Sequence, residues 1–75
     1  MERLMNILER NNPDIDFATE TALIDDELIT SLDLVMLVGE LNDVYDIEIT
    51  ADDLLPENFN SAQAIFDLIT RLQGR

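Results

Sequence analysis

Ser31 is the residue of this chain best placed to carry chemistry. It stands just before an apolar run with helical spacing, Leu32 to Leu41, where a hydroxyl can accept from the unpaired N–H groups of a first helical turn. On that ground alone it reads as the helix N-cap. The rest of the inventory limits what else it could do. The chain has no His and no Cys, so it contains no Ser–His or Cys–His pair to activate a nucleophile. Self-contained serine hydrolysis is not expected, and the chain is not read as an enzyme. Carboxylates are plentiful, but a glycosidase-like pair needs a cleft that 75 residues can hardly enclose. Asp14-Ile15-Asp16 opens the spacing of a calcium-binding loop, yet Ala18 and Thr19 fill the positions that call for an oxygen ligand and a glycine. Gly39 and Gly74, the only glycines, make no phosphate-cradling loop. No metal site is expected beyond weak divalent binding around Asp25, Asp26, Asp43 and Asp46.

The helix that must position Ser31 runs from there to Val44 or Tyr45. At 100° per residue, Leu34, Leu37, Val38, Leu41, Val44 and Tyr45 share one side, the stripe of a core-facing helix. Leu32, Met36, Gly39, Glu40 and Asp43 share the other, with Val35 at its margin. Large apolar residues ringed by acids on an outward face point to a docking surface. Gly39 costs roughly 0.8–1 kcal/mol relative to Ala inside a helix, and close approach by a partner and tolerated drift account for its presence equally well.

Three further stretches complete the frame. Met1 to about Asn11 reads as a helix with a buried stripe of Met1, Leu4, Ile7 and Leu8, ended at Asn12-Pro13. Asp14 to Thr30 is long for a connection in so small a domain, with Ile15, Phe17, Leu23, Ile24, Leu28 and Ile29 available to tack it down. After the central helix, Asp46-Ile47-Glu48-Ile49 is an extended connector. Thr50 caps a brief turn at Ala51 to Leu55, which Pro56 stops. Asn60 or Ser61 caps a last helix whose apolar face is Ala62, Ile65, Phe66, Leu68, Ile69 and Leu72. The spacing therefore predicts an all-α fold, a small three-to-four-helix bundle in one domain over residues 1–75, with a long loop between the first two helices.

Composition narrows the partners. Seventeen acids against four bases give a net charge of −13, which disfavours nucleic acid and anionic membranes. All four bases, Arg3, Arg10, Arg71 and Arg75, lie near the termini. From Asp25 to Glu57 there are acids and no base, a field suited to steering enzymes with basic patches. Neither a run of about 18 apolar residues nor a basic-then-apolar leader is present, so membrane span and secretion signal are not expected and a cytoplasmic monomer is.

Taken together and in order, the acidic approach Asp25-Asp26-Glu27, the segment Ser31-Leu32-Asp33 and the apolar helix after it resemble the phosphopantetheine attachment segment of acyl and peptidyl carrier proteins. The resemblance continues through Asp46-Ile47-Glu48-Ile49, the Asp52-Asp53-Leu54-Leu55 turn and the closing helix. It implies that Ser31 is esterified by a phosphopantetheinyl transferase to 4′-phosphopantetheine, whose thiol carries acyl or aminoacyl groups as thioesters between enzymes. It also implies a partner-binding surface of Leu32, Asp33, Val35, Met36, Glu40 and Asp43, extended by Ile49. Leu55 to Ser61 is more similar to stand-alone carriers loaded by an adenylating enzyme, including the D-alanyl carrier type. Thr30 departs from the Asp that usually precedes the serine and that the family uses in the transferase complex. Met36 and Gly39 stand where fatty-acid-type carriers commonly have Glu and Met. The competing readings are an acidic helical protein-interaction module with Ser31 only a cap, and a carrier-like protein that is not modified.

Overall fold

The computed structural model describes residues 2–74, and the place expected for Met1 in the first stripe lies outside them. Four helices form, with no strand among the described residues: α1 (Glu2–Asn11), α2 (Ser31–Tyr45), α3 (Pro56–Phe59) and α4 (Ala62–Gln73). Packing runs as a chain of contacts from α2 to α1, from α1 to α4 and from α4 to α3. This is the small helical bundle, with its long first loop, that the spacing predicts.

α1 buries Leu4, Ile7 and Leu8, one face at i, i+3, i+4 spacing. Its end is closed by Asn11, whose Nδ2 donates to the Ile7 carbonyl at 2.8 Å. α4 buries Ala62, Ile65, Leu68, Ile69 and Leu72. Ser61 is its cap, accepting from the Ala64 N–H at 3.0 Å. Pro56 does not stop the preceding turn, which is a 3-10 segment at Ala51–Asp53; it opens α3, where a ring without an N–H and with a preset φ fits the first helical position. α3 in turn delivers Phe59 to the core at 1% exposure.

The long loop carries its own structure. Phe17, Leu23 and Ile29 are buried, whereas Leu28, expected among the anchors, is exposed. Between Ala22 and Leu28 the chain makes one helical turn, with the Asp26 N–H donating to the Ala22 carbonyl at 2.8 Å. The turn ends as helices often do, with a left-handed residue: Glu27 has φ 57°, its N–H returns to the Ile24 carbonyl and the Leu28 N–H to the Leu23 carbonyl. Its start is held from a distance by Asn60. The Asn60 carbonyl accepts from the Leu23 N–H at 2.9 Å. Its side-chain Oδ1 accepts from the Ile24 and Asp25 N–H groups at 3.0 and 3.1 Å, and its Nδ2 donates to Asp25 Oδ2 at 3.2 Å.

α2 ends at Tyr45 as the spacing predicts and differs from expectation at its start. Its N-cap is Thr30, one residue before Ser31. Thr30 Oγ1 accepts from the Asp33 N–H at 3.2 Å and Asp33 Oδ2 accepts from the Thr30 N–H at 3.3 Å, a reciprocal capping box in which Asp takes the usual Glu position. Ser31 is therefore the first helical residue. At the other end Asp46 turns left-handed at φ 53° and its N–H returns to the Asn42 carbonyl. Asn42 Oδ1 also accepts from the Ile49 N–H at 2.9 Å, folding the connector back so that Ile49 enters the core. On the core side only Leu37 and Leu41 are buried. Leu34, Val38 and Tyr45 are half-buried, and Val44 is exposed.

Candidate functional site

Ser31 is exposed at the first turn of α2. In that turn the Asp33 N–H is taken by Thr30 Oγ1 and the Leu34 N–H by the Thr30 carbonyl. The N–H groups of Ser31 and Leu32 come before the helical ladder begins. An anion on the Ser31 oxygen would meet those two donors and the positive end of the helix dipole, worth roughly 0.3–1 kcal/mol in an exposed setting. The Asp33 carboxylate in the same turn opposes part of that.

Because Thr30 and Asp33 supply the cap, the Ser31 hydroxyl is not needed to start the helix. Beside it lies a concavity of about 430 Å³ lined by Ile24, Glu27, Ile29, Thr30 and Ser31. A larger one, of about 540 Å³, is lined by Asp46, Ile47, Glu48, Thr50 and Leu72. It lies beyond the far end of α2, about 20 Å from Ser31 at 1.5 Å per helical residue.

Directly after Ser31 come three exposed apolar side chains. Leu32 is 69%, Val35 64% and Met36 59% accessible, and their i, i+3, i+4 spacing puts them on one face. Such a face is not closed by anything in the fold, and it abuts the hydroxyl. Asp43, seven residues beyond Met36, is exposed on the same side.

The other residues expected on this surface are engaged elsewhere. Asp33 is half-exposed and tied into the cap. Glu40 turns toward α1, where it is ion-paired with Arg10 and accepts from Asn11 Nδ2 at 3.1 Å. It joins two helices and is not offered to a partner. Ile49 is 7% exposed and does not extend the surface, because Asn42 has drawn its backbone inward. Gly39 is open: a side-chain Cβ at this position would meet nothing within 4 Å, so no internal contact requires glycine there.

Ile24, Glu27 and Ile29, which form the wall beside Ser31, are not residues that spacing singles out as a site. Their position depends on a loop turn whose cap comes from Asn60, and no short-range pattern announces it. Among the described residues no group of three or more acids is close enough to hold a metal ion, so Asp25, Asp26, Asp43 and Asp46 do not gather into a divalent site. No helix among them is long and apolar enough to cross a membrane. No protein-family profile, curated protein or solved structure matches this chain.

Proposed function

We propose that this chain is a stand-alone carrier of acyl or aminoacyl groups, with Ser31 bearing 4′-phosphopantetheine. The observation that carries this reading is the pairing of an exposed, non-capping hydroxyl at the head of α2 with the apolar face of Leu32, Val35 and Met36 beside it. Ser31 would hold the phosphate through its ester oxygen, with the Ser31 and Leu32 N–H groups turned toward it. When attached, the group supplies a thiol on a flexible arm that holds cargo as a thioester. The protein's part is to present that arm, and Leu32, Val35, Met36 and Asp43 would be read by the enzymes that load and unload it.

The surrounding acids would steer basic partners, raising association rate more than affinity. These partners are a phosphopantetheinyl transferase and acyl- or aminoacyl-handling enzymes. A carrier-like protein that is not modified is the second reading, favoured by Thr30 at the position where carriers usually have Asp. The acidic interaction module, which made Ser31 only a cap, loses that premise because Thr30 is the cap. Thr30 caps the helix as an Asp would, so Thr30→Asp leaves the fold intact and tests loading alone.

Incubation with coenzyme A, magnesium and a broad-specificity phosphopantetheinyl transferase, followed by intact-protein mass spectrometry, tests the proposal. The expected result is a phosphopantetheine increment on the native chain. Absence of the increment, beside a conventional carrier that is loaded, contradicts it.

A further inference from the structure

The turn in front of Ser31 is held by a residue from the last third of the chain, and we infer that Asn60 is a positioning residue for loading at Ser31. The inference rests on the carrier reading above. A single helical turn has no internal partners for its first N–H groups and does not persist unaided. Asn60 supplies those partners to Leu23, Ile24 and Asp25 at 2.9, 3.0 and 3.1 Å, and returns a donor to Asp25 Oδ2 at 3.2 Å. It is thus the N-cap of a turn 35 and 36 residues away from it in sequence. Asn60 is itself fixed on both sides, by Phe59 in the core and by Ser61, the cap of α4.

The capped turn leads through left-handed Glu27 and buried Ile29 to Thr30 and Ser31. Ile24, Glu27 and Ile29 from this turn line the concavity that Ser31 shares. An enzyme that reaches the Ser31 hydroxyl docks against that wall. Without the cap the turn opens for part of the time. An enzyme that binds only the closed form then sees its substrate diluted by the closed fraction, which raises apparent Kd and leaves the chemistry of the docked complex unchanged. Asn60 therefore acts on KM and not on kcat.

Initial rates of loading by a broad-specificity transferase, with the full chain as varied substrate and intact mass as readout, test this. Asn60→Ala is expected to raise KM about tenfold, corresponding to a closed fraction of about one tenth, with kcat within about twofold. The exchange Asp25→Asn with Asn60→Asp reverses donor and acceptor across the same contact. It is expected to return KM to within about threefold of the native value, with Asp25→Asn alone as the control for lost charge. Amide hydrogen exchange at Ile24 and Asp25 reports directly whether the cap has opened.

An unchanged KM in Asn60→Ala, with those amides freed, overturns the positioning role while the carrier reading stands. A native chain that no transferase loads, beside a loaded conventional carrier, overturns both. Should Asn60→Ala fail to fold, Asn60→Asp keeps the accepting oxygen but replaces the donor to Asp25 Oδ2 with a second carboxylate facing it. Repulsion between the two carboxylates is expected to raise KM about tenfold, which Asp25→Asn in the exchanged pair relieves, and an unchanged KM with the Ile24 and Asp25 amides freed overturns the role.

Discussion

α2 and α4 make opposite use of apolar residues. α4 buries five of its 12 residues and α2 two of its 15, although α2 is the more apolar of the two. The cause is the order of packing. α4 lies between α1 and α3, while α2 leans chiefly on α1, so a helix with apolar residues around much of its circumference has one covered side. What α2 does not bury it displays, and the display is concentrated at Leu32, Val35 and Met36, next to Ser31. Hydrophobicity in α4 holds the fold; in the first two turns of α2 it is available to a partner.

The largest expected effect breaks the α4 side of this contrast. Ile65→Ala, at a residue with 0% exposure, is expected to cost about 2–5 kcal/mol. For a domain of this size that is a large share of a total near 0.05–0.15 kcal/mol per residue, and it is read from the urea midpoint. Met36→Glu is the counterpart on α2. It is expected to change stability by about 0.5 kcal/mol or less while weakening binding to a loading enzyme, measured by titration calorimetry. A large loss of stability would place Met36 in the core instead.

The next contrast is one residue wide. Thr30→Ala removes the accepting oxygen of the capping box and is expected to cost about 0.5–2 kcal/mol, whereas Ser31→Ala stays within about 0.5 kcal/mol. Thermal melting of the two variants side by side checks this. The smallest effect is a gain. Glu27 holds φ 57°, a conformation that penalises a side chain, so Glu27→Gly is expected to raise stability by about 0.5–1 kcal/mol after the added chain entropy of glycine is counted. Chemical denaturation reads it.

Helices α1, α2 and α4 are legible in the sequence because each repeats apolar residues at helical spacing over ten or more positions. α3 is not, because four residues are too few to show a period and Pro56 serves equally as a stop or a start. The cap of α2 lies one residue before the expected one: Thr30 and Ser31 both carry hydroxyls, and only the Asp33 spacing, three residues after Thr30, distinguishes them. Ser31, Leu32, Val35 and Met36 are visible as a local pattern on one helix. Glu40 and Ile49 depart from expectation because what decides their exposure is remote or backbone-driven: Arg10 and Asn11 hold the first, and Asn42 turns the second inward. The Asn60 cap joins segments far apart in sequence through one side-chain amide, and composition and periodicity carry no trace of it.

The most direct test of the carrier reading separates capping from attachment in a single experiment. The native chain, Thr30→Ala and Ser31→Ala are melted by circular dichroism, then treated well below the transition with coenzyme A, magnesium and transferase and weighed intact. A carrier with its attachment point at Ser31 and its cap at Thr30 predicts that Thr30→Ala melts lower yet still gains the phosphopantetheine increment, while Ser31→Ala melts like the native chain and gains none. An increment that persists in Ser31→Ala, or a native chain that acquires none beside a loaded control, would contradict it.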